Sequence, residues 1–162
     1  MILIDTNLLL YAVNKDTPLH QPARSWLEAT LSSDASVGIP WLVAIAFLRI
    51  TTSRRIWPEP MGVEQSLGFI DEWFAQPYVA PLNPGPNHWP ILARLLLDSG
   101  TAGNLTNDAH IAAIAIEHGY TVYSSDNDFQ RFVGLRCVNP LDGRSIQEQA
   151  RHYVRAKMAF DR

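Results

Sequence analysis

Apolar residues in this chain fall either into short unbroken runs or into longer stretches where they return every third or fourth residue, the signatures of buried strands and of helices. Met1 to Ile4 is the first run. It shows no polar alternation, so it reads as a strand covered on both faces, and it ends abruptly in Asp5. Thr6 and Asn7 then cap a helix beginning Leu8-Leu9-Leu10-Tyr11-Ala12-Val13. From Pro18 to Leu31 the residues Leu19, Ala23, Trp26, Leu27 and Leu31 repeat at helical spacing, and Ala35 to Ile39 is a second strand. Pro40 stands where a helix begins; Trp41 to Ile50 is apolar nearly all round, which predicts a buried helix. Thr51 to Pro60 reads as a loop and Val63 to Phe74 as an amphipathic helix, followed by a third strand at Tyr78 to Leu82. The proline-rich stretch Asn83 to Pro90 is a loop leading into a helix around Ile91 to Leu97.

The clearest helix has Thr106 as its cap, Asp108 in its first turn, Ile111, Ala112, Ala115 and Ile116 as its buried face, and Gly119 as its stop. Tyr120 to Tyr123 is a strand that ends in Ser124-Ser125-Asp126-Asn127-Asp128, and Leu135 to Val138 is the last strand. Ile146, Ala150, Val154 and Met158 mark an amphipathic C-terminal helix. Strands alternating with helices predict one α/β domain with a mainly parallel sheet between helical layers.

Composition narrows this. At 162 residues and 47% hydrophobic, the chain is long enough for one real core. The lone Cys137 excludes an internal disulfide framework and a cysteine-based zinc site, and it suits a reducing cytoplasm. No basic region precedes the first apolar run, which argues against a signal peptide, and Ile39 to Leu48 is too short to span a bilayer. A soluble cytoplasmic protein is expected. A net charge of −3 gives no general attraction to nucleic acid, so a polyanion would need a local basic patch or metal ions.

Asp5, Asp108 and Asp126 are the candidate chemistry. Parallel strands place their carboxyl ends on one edge, so Asp5 and Asp126 converge if their strands are neighbours. The helix opened by Asp108 runs antiparallel to the strand it precedes, which returns its N-terminus to the same edge. Three carboxylates there repel one another unless a cation lies between them, and hard oxygen ligands without cysteine select Mg²⁺ or Mn²⁺, ions that usually serve phosphate chemistry. Each aspartate also has a plainer role as helix cap, turn residue or partner of the helix dipole, and the spacing alone leaves both open. His110 and His118 read as residues of a solvated or packed face.

In order, Asp5-Thr6-Asn7 after the initial strand, Asn104-Leu105-Thr106-Asn107-Asp108-Ala109-His110-Ile111-Ala112-Ala113, and Ser124-Ser125-Asp126-Asn127-Asp128-Phe129 resemble the successive motifs of PIN-domain ribonucleases. The nearest match is the VapC toxins of bacterial VapBC toxin–antitoxin pairs. Trp41 through Arg49 and Arg136 through Leu141 resemble one branch of them, so the similarity spans residues 1–141. The resemblance implies a three-layer α/β/α sandwich around a five-stranded, mainly parallel sheet. It also implies Mg²⁺-dependent RNA cleavage, homodimerisation and neutralisation by a small VapB-like antitoxin. Carried over by position, Asp5, Asp108 and Asp126 match the acidic site, with Thr6 and Asp128 in support. One departure stands out: the family often has a glutamate shortly before the Phe-Leu-Arg stretch, where this chain has Ala46. Residues 142–162 are left as a helical extension packed on the domain or on a dimer partner.

The expected reaction is metal-assisted phosphodiester hydrolysis, with Asp5, Asp108 and Asp126 holding one or two Mg²⁺, Asp5 as the direct metal ligand, and Arg49, Arg54 and Arg55 as candidate contacts to the RNA backbone. Two other readings compete. A receiver-like module would need a phosphoacceptor aspartate on a middle strand and a lysine on a late one; the third strand, ending Ala80-Pro81-Leu82, has no aspartate and the last has no lysine. A catalytically impaired RNA- or protein-binding module is the other, kept open by Ala46.

Overall fold

The computed structural model describes residues 1–143. Five short strands, β1 (Ile2–Ile4), β2 (Val37–Pro40), β3 (Val79–Leu82), β4 (Thr121–Tyr123) and β5 (Cys137–Val138), form one sheet in the order β3-β2-β1-β4-β5, with every pairing parallel. Six helices connect them: α1 (Thr6–Val13), α2 (His20–Leu31), α3 (Trp41–Thr51), α4 (Val63–Phe74), α5 (His88–Ser99) and α6 (Thr106–His118). Helix α1 packs on α2 and α3, α3 on α4, and α5 on α6. That division follows from topology. The chain travels one way across the sheet from β1 to β3, then returns to add β4 and β5 on the other side of β1; same-handed crossovers in opposite directions cover opposite faces.

The unbroken apolar runs become the centre of the sheet. Leu3, Ile4, Val37, Ile39 and Val122 are at most 1% exposed, as expected for strands covered on both faces. Gly38 of β2 is fixed by packing, since a Cβ there would overlap the Leu82 side chain and lie 2.9 Å from Tyr120 Cε1. Phe47, Phe69 and Trp73 form an edge-to-face and stacked aromatic cluster between α3 and α4.

Several helix boundaries differ from the pattern reading. Asp5, not Thr6 or Asn7, caps α1: its side chain accepts a hydrogen bond from Thr6 N, and Thr6 is already helical. Thr106 likewise is the first residue of α6, whose cap position is Leu105, with no side-chain bond. Helix α5 starts at His88, which places Pro90 in its first turn, where its missing N–H has no helical partner to lose. Helix α3 is not buried all round. Trp41 (47%), Ile45 (60%) and Arg49 lie on one exposed stripe of it. Gly119 closes α6 at φ 74°, the left-handed conformation expected of a C-terminal stop. The amphipathic helix marked by Ile146 to Met158 lies outside the described residues. Among the described residues no helix is long and apolar enough to cross a membrane.

Candidate active site

In an open parallel sheet, a crevice forms beyond the strands' carboxyl ends where the direction of winding reverses. Here that point lies between β1 and β4. Ile4 pairs with Tyr123, and Asp5 N continues the ladder to Tyr123 O at 3.0 Å, so Asp5 and Ser124 stand side by side at the crevice. A cleft of about 460 Å³ opens there, lined by Asp5, Thr6 and Asn7, by Asn107, Asp108 and Asp126, and by a wall of α3 residues that includes Ala46 and Arg49. A groove of about 510 Å³ between α2 and α4 is larger, but its charges are scattered and of both signs, including Lys15, Arg24, Glu28 and Glu72. The converging chemistry is in the smaller cleft.

Asp5 is 7% exposed, and both its carboxylate oxygens are held. Oδ1 accepts from Thr6 N at 2.7 Å and Oδ2 from Ser124 Oγ at 2.7 Å. Burial raises its pKa; the bonds from Ser124 and Thr6 oppose that rise, and the nearby Asp126 adds to it. Asp126 caps the short turn Asn127–Arg131, its Oδ1 accepting from Asp128 N at 2.9 Å, and this turn brings Asp128 round to the same edge. Asp108 sits in the first turn of α6. Burial, then the charges of Asp5, Asp126 and Asp128, push its pKa up to about 6. One carboxylate oxygen each from Asp108, Asp126 and Asp128 lie within 4.8 Å of one another. Three hard anionic oxygens so close, one of them with a pKa raised by burial and then by its neighbours' charges, fit a divalent cation.

The three aspartates of the sequence reading are therefore brought to one cleft. The tightest trio, however, contains Asp128 in place of Asp5, which stands beside it in a hydrogen-bonded seat. Asp128 is also paired with Arg131 at 3.0 Å, a largely exposed contact of little weight. The capping roles are real as well: Asp5 and Asp126 cap and face the cleft at once, and the capping bonds fix where their remaining lone pairs point. Arg49 lines the cleft, whereas Arg54 and Arg55 lie exposed in the turn after α3 and line none of it. His110 and His118 have packing roles, His110 Nδ1 at 2.9 Å from His88 Nε2 and His118 Nε2 at 2.9 Å from Asn83 O.

Two residues named only as cap and motif positions in the sequence hold the site together. Ser124, 1% exposed, donates to Asp5 and accepts from Asp126 N at 2.9 Å and Asn7 Nδ2 at 3.0 Å. Asn7 Oδ1 in turn accepts from Ser125 N at 3.4 Å. Together they tie the end of β1 to the end of β4. The signal was the register: if β1 and β4 are neighbours, the first polar residue after β4 must face Asp5.

The site is an acidic cluster that could hold a metal ion, set at the switch point of a parallel α/β/α sandwich. Residues 2–135 match the PIN domain family. The chain is 41% identical to Ribonuclease VapC37 of Mycobacterium tuberculosis over 140 residues, covering 86% of this chain and 97% of the relative. Ribonuclease VapC33 of the same species is 40% identical, covering 87% and 99%. The chain belongs to the PIN domain family, and its relatives place it among the VapC proteins. In solved structures, the fold is shared with Rickettsia felis VapBC2 bound to a promoter DNA fragment (TM-score 0.63, 22% identity, 86% and 98% covered). It is shared too with Mycobacterium tuberculosis VapC20, a sarcin-ricin loop cleaving toxin (TM-score 0.62, 16% identity, 84% and 99% covered).

Proposed function

We propose that this protein is an endoribonuclease that hydrolyses RNA phosphodiester bonds with Mg²⁺ or Mn²⁺, and that it serves as the toxin of a toxin–antitoxin pair. The observation that carries this is the meeting of Asp108, Asp126 and Asp128 within 4.8 Å beside the buried Asp5. The names of the 41% and 40% identical relatives support the ribonuclease reading.

Asp108, Asp126 and Asp128 would hold the ion, with Asp5 closing the acidic wall behind it. An ion held by these residues would lower the pKa of a bound water and offset charge on the phosphate. Asp5 is held by Ser124 and Thr6 N, so its charge is positioned before substrate arrives. Thr6 lines the cleft next to it. A raised Asp108 pKa means that protons compete with the ion as pH falls toward about 6. The partners we infer are RNA as substrate, a small VapB-like antitoxin and a second copy of the chain in a homodimer. The compartment we infer is the cytoplasm.

The test is cleavage of mixed-sequence RNA in Mg²⁺ or Mn²⁺. Wild type should cut and should stop in EDTA, while Asp5→Asn should be inactive with an unchanged circular dichroism spectrum. Cleavage that persists in a folded Asp5→Asn protein would refute the assignment.

A further inference from the structure

Opposite the aspartates, α3 presents Leu42, Ile45, Ala46, Arg49 and Ile50 to the cleft. Their spacing puts them on one helical face. That wall carries no carboxylate and a single charge, the guanidinium of Arg49 in the last turn. Arg49 is exposed and shares the cleft with Asp5, Asp108 and Asp126, yet pairs with none of them. Among the described residues the ion pairs are Arg24–Glu28 and Arg131–Asp128. The cation and the acidic wall thus face each other across a gap wider than an ion pair.

A phosphodiester entering this gap meets two unlike walls. The acidic one repels it unless a divalent ion intervenes; the α3 one attracts it directly. The guanidinium fork matches two phosphate oxygens, and no neighbouring carboxylate on that wall competes for it. With Ala46 where a fourth carboxylate could stand, α3 offers nothing to a second cation.

We propose that Arg49 binds the scissile phosphate from the α3 side of the cleft, as the protein's own cationic counterpart to the divalent ion on the aspartates. The proposal rests on the ribonuclease reading and extends it. Arg49 would neutralise charge on the phosphate and hold it across the cleft from the acidic wall.

The test separates RNA binding from metal binding. Anisotropy of a labelled mixed-sequence RNA is followed in EDTA and in Ca²⁺, with the RNA checked intact by gel, for wild type, Arg49→Ala and Arg49→Lys; Mn²⁺ binding without RNA is followed by calorimetry. Arg49→Ala should weaken RNA roughly tenfold or more, as expected for one charged hydrogen-bonded contact. The slope of log affinity against log salt should fall by about 0.7, one single-strand phosphate. Mn²⁺ affinity should hold or rise, because a neighbouring positive charge is gone. Arg49→Lys should keep the salt slope while losing affinity, since it retains charge without the fork. An unchanged RNA slope in Arg49→Ala, or RNA and Mn²⁺ affinity falling together, overturns the role of Arg49. If Asp5→Asn nevertheless abolishes cleavage, the ribonuclease reading survives that failure. A wild type that binds neither Mn²⁺ nor RNA overturns both.

Discussion

Asp108 shows how one residue records the state of the whole cleft. Its pKa is raised by burial and by three neighbouring carboxylates, so the folded metal-free protein favours its protonated form. Relative to the unfolded chain, that stabilisation is fully present below the ordinary value of 3.8 and is lost as pH rises through about 6. Asp5, also raised, acts in the same direction. In EDTA the melting temperature should therefore carry a component that falls between pH 4 and pH 6.5, and Asp108→Asn should remove most of it while raising the melting temperature at pH 7.5. A flat profile in wild type would contradict the crowding. Ser124 makes the complementary case. Truncation to Ala leaves the Asp5 carboxylate, Asp126 N and Asn7 short of a partner in a nearly closed seat, which should cost about 1–3 kcal/mol in urea unfolding and weaken Mn²⁺ binding.

Among the elements, α3 and β2 decide most. Trp41 to Ile50 reads as a buried helix because nine of its ten residues are apolar, yet Ile45 and Arg49 are exposed where the helix lines the cleft. Ala46 lies half-buried in the cleft wall, so a longer side chain has a route toward the aspartates. Ala46→Glu should tighten Mn²⁺ in calorimetry, because affinity for hard divalent ions rises with ligand charge, without the several-kcal/mol loss of a carboxylate forced into the core. Tightening is expected there; a collapse of stability would mean that the side chain points inward. In β2, Gly38→Ala should cost about 1–3 kcal/mol, since the added Cβ overlaps Leu82 and crowds Tyr120 in a fully paired strand.

For the molecule as a whole, repulsion at the switch point stands against the stability of the core, and an ion that binds only the folded state should relieve it. At a hundredfold excess over Kd, Mg²⁺ or Mn²⁺ should add about 2.7 kcal/mol of stability, seen as a rise in melting temperature that Asp108→Asn largely loses. Identical melting curves in EDTA and in millimolar Mg²⁺ would count against the site. The strand order itself was only partly legible from the sequence. The runs at Met1 to Ile4 and Tyr120 to Tyr123 announce two buried strands, but nothing local says that they are neighbours, because parallel pairing joins residues more than a hundred positions apart.

The sequence by itself determined the alternation of strands and helices, the apolar core, the αL stop at Gly119 and the aspartates at the ends of β1 and β4 and the start of α6. These depend on period, turn chemistry and end signals, all local. The tertiary structure decided what distance in the chain conceals. It chose Asp128 over Asp5 for the tightest trio, seated Asp5 on Ser124, turned one stripe of α3 outward and separated Arg49 from Arg54 and Arg55. Each of those outcomes depends on which strand lies beside which and how a helix is rotated on the sheet, and such relations are set by packing over the whole core, not by neighbours along the chain.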